Sequence, residues 1–85
     1  MYEVELRRHV TKSLDRLKEP DFSRIITELS EIEQNPRPKG VEKLRGTELW
    51  RIRVGDYRLV YQISDETRKI IVVRVGHRRD VYRGI

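Results

Sequence analysis

Cysteine is absent from this chain of 85 residues, so the sequence contains no disulfide and no cysteine-ligated metal site. Long apolar runs are also absent, since no segment approaches the roughly 18 apolar residues of a membrane span and no signal peptide opens the sequence. These absences predict one cytoplasmic domain over residues 1–85 that makes no membrane contact. A chain this short buries only about 60% of its unfolded surface, so we expect a shallow surface site instead of a deep pocket.

Groups that hold cofactors or metal ions are scarce as well. The two histidines, His9 and His77, lie far apart in sequence and have no local partner at metal-ligand spacing. No glycine-rich phosphate-binding loop is present, and no serine has the partners of a catalytic triad. The sequence therefore predicts a site that uses neither a metal ion nor a cofactor.

Positive charge is abundant, and it is concentrated in the second half of the chain. Residues 1–42 contain 8 Lys or Arg against 9 Asp or Glu, a net charge of −1, whereas residues 43–85 contain 11 against 5, a net charge of +6. This asymmetry indicates a polyanionic partner for the second half. A basic, well-solvated surface without a specific partner would give the same composition.

Hydrophobic periodicity predicts a strand and two helices in the first half. Residues 2–6 alternate as in a half-buried strand, and a short first helix follows over residues 10–17. The second helix is expected to begin at Pro20-Asp21 and to stop at Asn35-Pro36. Its apolar residues have helical spacing: Phe22, Ile25, Ile26, Leu29 and Ile32. The short link between the helices predicts an antiparallel helical hairpin.

The period changes to two after a predicted loop over residues 36–49. Strands are predicted at residues 50–54, 57–63 and 70–75, and Gly55-Asp56 reads as a two-residue hairpin turn. The order β-α-α-β-β-β predicts a two-layer α+β fold, in which the N-terminal strand and the helical hairpin are packed on a mostly antiparallel four-stranded sheet. The helices cover one face of the sheet, and the other face is expected to be open.

Strand alternation places a group of arginines on the open face. The apolar residues of the hairpin share one parity and are expected to face the helices: Trp50, Ile52, Val54, Tyr57, Leu59, Tyr61 and Ile63. Arg51, Arg53 and Arg58 then lie on the other face, and the two-residue turn puts Arg53 directly opposite Arg58. Like charges in direct opposition destabilise a sheet by up to about 1 kcal/mol, so a negatively charged ligand would explain the pair.

The last strand is expected to extend this arginine surface. By alternation, one of its faces carries Ile71, Val73, Val75 and His77. Arg74, Gly76 and Arg78 then share the face of the other arginines, with Arg79 and Tyr82 within reach.

A network of surface ion pairs is the alternative explanation of the arginines. Glu3 and Glu5 lie on the polar face of the first strand and would pair with them. Exposed pairs are worth only about 0–1 kcal/mol each, so such a network would stabilise the fold weakly.

Arginines accompanied by a tyrosine are suited to cleavage of RNA without a metal ion. RNA carries its own nucleophile, the 2′-hydroxyl, so catalysis requires positioning, stabilisation of the phosphorane charge and proton movement. A guanidinium binds phosphate through two N–H groups, and a tyrosine stacks on a base or transfers a proton. Because DNA lacks the 2′-hydroxyl, this set of residues indicates RNA.

Several segments resemble the RelE/ParE toxin superfamily, and the RelE branch is the more similar. They are Asn35-Pro-Arg-Pro38, Lys43-Leu-Arg-Gly46, Trp50-Arg-Ile-Arg-Val-Gly-Asp-Tyr-Arg-Leu-Val-Tyr61 and Val75-Gly-His-Arg-Arg-Asp-Val-Tyr82. The resemblance implies a type II toxin: an mRNA interferase, or ribosome-dependent endoribonuclease, that cleaves mRNA in the ribosomal A site without a metal ion and so inhibits translation. It implies as partners a RelB-like cognate antitoxin, the ribosome and mRNA, and operator DNA through the antitoxin complex.

The resemblance also implies a catalytic role for five residues. Arg51 and Arg53 match paired basic residues that are lysines in several relatives, so here we expect them to act through charge. Arg58 matches a phosphate clamp, and Arg78 matches a residue that stabilises the leaving group. Tyr82 matches a residue that stacks on a base or assists proton transfer.

Further basic residues are expected to bind RNA or the ribosome: Lys43, Arg45, Arg74 and Arg79. A structural role is expected for His77, because alternation puts it on the opposite face. Two other functions are compatible with the fold. A ParE-like toxin would inhibit DNA gyrase without an arginine–tyrosine site, and a catalytically inactive module would bind an antitoxin without cutting RNA.

Overall fold

A computed structural model, which describes residues 1–82, has a two-layer α+β fold and confirms the predicted class. Its elements are β1 Glu3–Leu6, α1 Arg8–Asp15, α2 Asp21–Gln34, β2 Glu42–Lys43, β3 Leu49–Val54, β4 Tyr57–Ser64 and β5 Lys69–His77. The strands form one sheet in the order β1-β5-β4-β3-β2, in which β1 is parallel to β5 and the other neighbouring pairs are antiparallel. Within residues 1–82, neither helix is long and apolar enough to cross a membrane.

Both helices place an apolar stripe on one face of the sheet. In α2, Ile25, Leu29 and Ile32 recur at helical spacing and are buried, as are Val10 and Leu14 in α1. These five side chains belong to the same core as the apolar residues of the hairpin strands. The helical layer therefore occupies one face of the sheet, and the arginines of β3 and β4 lie on the other.

The sheet has five strands where the sequence predicts four. The additional strand, β2, consists of Glu42 and Lys43 in the predicted loop and pairs with β3 at one edge of the sheet. A strand of two residues is too short to show alternation, so its existence depends on pairing with a strand already formed. Its register puts Glu42 opposite Arg51 and Lys43 opposite Trp50.

The hairpin of β3 and β4 has the predicted register. Val54 is opposite Tyr57, and Arg53 is opposite Arg58. Gly55, the first central residue of the turn, has a φ of +62°, which a type II′ hairpin turn requires and which glycine adopts without a steric penalty. Tyr61 on the helix-facing side is fully buried and donates its hydroxyl proton to the carbonyl oxygen of Pro36 at 2.7 Å.

Strand β5 contains an extra residue that changes its alternation. Val73 has no opposite residue in β4, because the register between the two strands shifts at this point. Ile70 and Val72 before the bulge are fully buried, and Val75 after it is packed against the same core. The prediction that Ile71 and Val73 share the face of Val75 is therefore wrong: a β-bulge interrupts the period of two.

The second face of the sheet is less open than predicted. Residues 78–82 form a turn that folds back over Gly76, where a Cβ atom would lie 3.6 Å from the backbone and side chain of Val81. Val81 is only 2% exposed, and Val60 on the same face of β4 is fully buried. The chain's own C-terminal turn thus covers part of the surface on which the arginines lie.

Candidate active site

Arg53 and Arg58 lie directly opposite each other at the closed end of the hairpin, but their side chains have different surroundings. Arg53 is exposed, whereas Arg58 is 9% exposed. The Nη1 group of Arg58 donates to the carbonyl oxygens of Gly55 at 3.0 Å and Tyr57 at 2.8 Å. These bonds direct the guanidinium of Arg58 towards the turn, and the carbonyl dipoles offset the repulsion between the two like charges.

Arg51 forms the centre of a chain of hydrogen bonds that reaches the C-terminal turn. Its Nη1 group donates to the hydroxyl oxygen of Tyr82 at 3.3 Å, and its Nη2 group donates to the carboxylate of Glu42. The Arg51 side chain is 16% exposed as a result. The hydrogen bond to Tyr82, and then the one to Glu42, raise the pKa of Arg51 above its ordinary value, so this residue stays positively charged.

The C-terminal turn brings Arg78 and Tyr82 to the same face as these arginines. The backbone N–H of Arg78 donates to the carbonyl oxygen of Asp56 in the hairpin turn at 2.8 Å, and that of Val81 donates to His77 at 3.1 Å. Arg78 therefore lies beside the hairpin turn, whereas Tyr82 lies beside Arg51. The structure thus brings the five residues with predicted catalytic roles to one surface.

The four predicted RNA-binding residues do not form one group. Arg74 is opposite Val60 and shares the face of the arginines, and Arg79 is exposed in the C-terminal turn. Arg45 is exposed in the segment between β2 and β3. Lys43, opposite Trp50, lies on the other face, with its ammonium group 5.9 Å from the centre of the Trp50 ring.

His77 lies on the helix-facing side of β5, as alternation after the bulge requires. It is half-buried, and its ring meets that of Tyr57 edge to face, with the ring centres 5.9 Å apart. Its Nδ1 atom accepts a hydrogen bond from the backbone N–H of Arg79 at 3.3 Å. These contacts favour the structural role and connect the helix-facing side of β5 to the start of the C-terminal turn.

The carboxylate that pairs with Arg51 is not one of those named from the sequence. Strand β1 lies at the edge of the sheet and is separated from β3 by two strands, β5 and β4, and the carboxylate of Glu3 is 3.8 Å from the ammonium group of Lys69. Glu42 pairs with Arg51 instead. Sequence reasoning missed Glu42 because it lies in a segment that reads as a loop, and only the pairing of β2 with β3 brings it opposite Arg51.

The chemistry available at this face is that of guanidinium groups and a phenol. Within residues 1–82, no group of histidine and carboxylate side chains is arranged to hold a metal ion. Guanidinium groups bind phosphate oxygens and stabilise negative charge that develops on them, and a phenol donates or accepts a proton. The face is therefore suited to a phosphodiester, with charge stabilisation as its principal means.

Comparison with known proteins assigns nearly the whole chain to one group. The family model described as the ParE toxin of the type II toxin–antitoxin system parDE matches residues 4–82. A Methanocaldococcus jannaschii protein described as "Putative toxin RelE1" is 27% identical over 86 residues, which cover 96% of each chain. Toxin RelG of Mycobacterium tuberculosis is 52% identical over a segment of 31 residues, 36% of each chain.

Solved structures of RelE proteins have the same fold. The archaeal RelE–RelB complex of Pyrococcus horikoshii matches with a TM-score of 0.83 and 29% identity, over 94% of this chain and 98% of that one. The isolated RelE toxin of Escherichia coli matches with a TM-score of 0.79 and 29% identity, over 91% and 84% of the two chains. The arrangement of two helices on an open, mostly antiparallel sheet is thus shared with these toxins.

Proposed function

The chain belongs to the RelE/ParE superfamily of type II toxin–antitoxin toxins, and on this basis we propose that it is a ribosome-dependent endoribonuclease that cleaves mRNA in the ribosomal A site. The observation that carries the proposal is the clustering of Arg51, Arg53, Arg58, Arg78 and Tyr82 on one face of the sheet. Gyrase inhibition by binding would not require these residue types to meet at one surface.

The proposed reaction is transphosphorylation within the RNA strand. The 2′-oxygen of one nucleotide attacks the adjacent phosphorus and gives up its proton, forming a new P–O bond. The bond from phosphorus to the 5′-oxygen breaks, and this leaving oxygen takes up a proton. The products are a 2′,3′-cyclic phosphate and a free 5′-hydroxyl. No metal ion is needed for the atom balance, because RNA supplies the nucleophile and the protein supplies charge and proton transfer.

Arg53 and Arg58 are assigned to the phosphate. Arg53 is exposed and meets the RNA first, whereas Arg58 is held against the hairpin turn by its Nη1 group. A guanidinium has five N–H donors, so one anchored in this way still presents N–H groups to a phosphate oxygen from a fixed position. The pair therefore stabilises the negative charge of the phosphorane, and the bound anion offsets the repulsion between the two arginines.

Tyr82 is assigned to proton transfer and Arg78 to the leaving oxygen. The phenol of Tyr82 is 36% exposed, so it can reach a bound nucleotide. Arg78 is exposed beside the hairpin turn, at the other end of the C-terminal turn. Arg51 acts through its charge and is not the base, because its raised pKa keeps it protonated.

The remaining basic residues are assigned to ribosomal RNA. Arg74 and Arg79 extend the positive surface beyond the catalytic residues, and Arg45 is exposed beyond β2. Lys43 points away from the arginine face and so cannot bind the same RNA segment as the arginines. We assign it to a contact with the ribosome at the edge of the sheet. A surface divided in this way lets the toxin hold ribosomal RNA while the arginine face holds mRNA.

A RelB-like antitoxin is the proposed protein partner. Two of the matching structures are described as complexes of RelE with RelB, from Pyrococcus horikoshii and from Escherichia coli. The antitoxin segment is expected to be acidic or amphipathic, to fold on binding and to cover the arginine face, and the complex would bind operator DNA. Protection of Arg53 and Arg78 from arginine-specific modification in the complex tests this, and unchanged reactivity would argue against it.

Mapping of mRNA cleavage ends in a purified translation reaction, with and without ribosomes, tests the proposed activity. We expect cleavage only with ribosomes, and we expect Arg58→Ala and Arg78→Ala to slow it by about a hundredfold or more, the usual cost of removing one charge-stabilising donor. Arg16→Ala is the matched control, since Arg16 is exposed at the end of α1 in the helical layer. Undiminished cleavage by the folded Arg58 and Arg78 variants would refute the assignment of those residues.

Inhibition of DNA gyrase is the second candidate, because the matching family model is that of a ParE toxin. A supercoiling assay with the purified protein separates the two functions. Inhibition of supercoiling by a protein that leaves ribosome-bound mRNA intact would replace the endoribonuclease proposal.

A further inference from the structure

Glu42 is a carboxylate bonded to one of the proposed catalytic residues, Arg51, and it lies on an element that the sequence does not reveal. Strand β2 is two residues long, and its pairing with β3 puts Glu42 opposite Arg51. The Glu42 carboxylate accepts a hydrogen bond from Nη2 of Arg51, while Nη1 of the same guanidinium donates to the hydroxyl of Tyr82 at 3.3 Å. One planar group thus connects Glu42 at the sheet edge to Tyr82 in the C-terminal turn.

We propose that Glu42 is a positioning residue of this site: its carboxylate fixes the guanidinium of Arg51 and, through it, the hydroxyl of Tyr82. The inference rests on the proposed endoribonuclease function, in which Tyr82 transfers a proton. Glu42 itself touches neither the RNA nor the reacting atoms.

The geometry favours positioning by Glu42. An arginine side chain has four flexible torsions, and a single partner leaves its plane free to turn, whereas partners at both terminal nitrogens define the plane. Arg51 has such partners and is 16% exposed, although the Glu42 side chain beside it is 60% exposed. Tyr82 is 36% exposed on a short turn, and the hydrogen bond from Arg51 helps to place its hydroxyl oxygen.

The charge of Glu42 predicts whether its loss changes the maximal rate of cleavage or the half-saturating toxin concentration. A carboxylate near the RNA path repels phosphate groups, so its removal does not weaken RNA binding. Its removal does release Arg51 and Tyr82 from a defined geometry, and misplacement of a catalytic group by about 1 Å costs a factor of about a hundred in rate. Loss of Glu42 should therefore lower the maximal rate and leave the half-saturating concentration unchanged or lower.

Single-turnover cleavage on mRNA-programmed ribosomes measures the two quantities separately. For Glu42→Ala we expect a maximal rate about tenfold to a hundredfold lower at an unchanged or lower half-saturating toxin concentration. Glu42→Gln keeps an acceptor oxygen and should stay within about threefold of wild type. Glu48→Ala is the matched control, because Glu48 is 87% exposed and pairs with Lys43 on the other face.

Nuclear magnetic resonance of the free protein gives a readout that does not depend on RNA. In Glu42→Ala, the Arg51 guanidinium signals should average and the Tyr82 ring signals should shift, while both stay as in wild type in Glu48→Ala. The inference would be overturned if Glu42→Ala cleaved at the wild-type rate, or if it changed only the half-saturating toxin concentration. Equal losses of rate in the alanine and glutamine variants, or unchanged Arg51 and Tyr82 signals in Glu42→Ala, would overturn it as well. Absence of cleavage by the wild type would instead refute the proposed function, and the resonance signals would still decide whether Glu42 holds Arg51.

Discussion

At the scale of single residues, the three arginines of the hairpin have the same chemistry but different surroundings. Arg53 is exposed, Arg58 is bonded to backbone carbonyl groups, and Arg51 is enclosed by partners at both terminal nitrogens. An exposed guanidinium binds a mobile anion readily, whereas an anchored one loses less side-chain entropy when it does so. The hairpin therefore carries one exposed positive charge, on Arg53, and two that are held by hydrogen bonds, on Arg51 and Arg58.

Asp65 provides a second polar centre, at the end of the sheet away from the hairpin turn. Its carboxylate accepts hydrogen bonds from Nη1 and Nη2 of Arg37 at 3.2 and 2.9 Å and from the Tyr2 hydroxyl at 2.6 Å. The Arg37 guanidinium also lies 5.0 Å from the centre of the Trp50 ring. Asp65 thus joins the β4–β5 turn to the start of the chain and to the segment after α2.

Because of Asp65, the stability of the fold is expected to decrease at acidic pH. The Arg37 hydrogen bonds, followed by that from Tyr2, lower the pKa of Asp65 to about 2, whereas an unfolded aspartate has a pKa of about 3.9. The folded state binds this proton less readily, so the stabilisation is complete above about pH 4 and is lost as the pH falls towards 2. Urea unfolding of wild type and Asp65→Asn between pH 2 and 6 should show a difference in stability that is largest at pH 6.

The control for this prediction is the same substitution in an Arg37→Ala background. Because Arg37 is the principal cause of the lowered pKa, Asp65→Asn should have a smaller pH-dependent effect there. A difference between wild type and Asp65→Asn that is equal at pH 2 and pH 6 would contradict the prediction.

At the scale of secondary-structure elements, the bulge in β5 shifts the alternation of its side chains between the two faces of the sheet. Val72 before it and Val75 after it both contact the core, although two residues lie between them, and one of these, Arg74, stays on the arginine face. The Nε2 atom of His9 in α1 lies 2.6 Å from the carbonyl oxygen of Val73, the bulged residue. A bulge redirects the strand that follows it, and here that strand leads into the C-terminal turn.

The C-terminal turn is held by a close contact between Val81 and Gly76. A Cβ atom at Gly76 would lie 3.6 Å from Val81, an ordinary van der Waals distance, so Val81 packs directly over this part of β5. This contact fixes the distance between the end of β5 and Tyr82, and the hydrogen bond from Arg78 to Asp56 fixes the direction of the turn. The element that carries Arg78 and Tyr82 is thus positioned by packing as well as by polar contacts.

Val81→Ala is expected to loosen this element. The change removes two methyl groups from a side chain that is 2% exposed and should lower the free energy of unfolding by about 1–2 kcal/mol. Hydrogen exchange should become faster at the amides of Arg78 and Val81, which are bonded to Asp56 and His77.

Val73→Ala is the matched control for the C-terminal turn, because it makes the same chemical change at the half-buried bulge of β5, outside the turn. It should leave exchange at Arg78 and Val81 unchanged. Equal exchange rates at these two amides in wild type and Val81→Ala would show that packing on Gly76 does not hold the turn.

At the scale of the whole molecule, positive charge is distributed unevenly between the two layers: the helical layer, residues 7–34, has six basic and six acidic residues and no net charge. Helix α2 has Asp21, Glu28, Glu31 and Glu33 against a single basic residue, Arg24. The opposite surface of the sheet carries the arginines described above. A polyanion is therefore attracted more strongly to the arginine side of the molecule than to the helical side, which orients it as it approaches.

This division predicts how salt affects binding of single-stranded RNA. With an oligonucleotide that has 2′-deoxyribose at the cleavage position, the logarithm of affinity should fall linearly with the logarithm of salt concentration. Arg53→Ala should reduce the slope by about 0.7, the contribution of one phosphate contact on a single strand. Arg16→Ala in the helical layer should leave it unchanged. Equal slopes for wild type and Arg53→Ala would remove Arg53 from the phosphate contacts.

The sequence by itself determined those features that depend on short-range patterns. Helical spacing of apolar residues predicts α2, and a two-residue turn around Gly55 predicts the register that puts Arg53 opposite Arg58. The residue types on the arginine face and their resemblance to RelE toxins follow from the same short segments. Each of these predictions requires only alternation or helical periodicity, because neighbours in the sequence are then neighbours in space.

The tertiary structure alone decided which groups surround the arginines. Strand β2 exists because it pairs with β3, and this pairing brings Glu42 to Arg51. The bulge at Val73 and the fold of the C-terminal turn onto Gly76 depend likewise on contacts between separate elements. Side chains distant in sequence meet only when the core has fixed the backbones that carry them, and a one-residue shift in register reverses the face of every residue that follows.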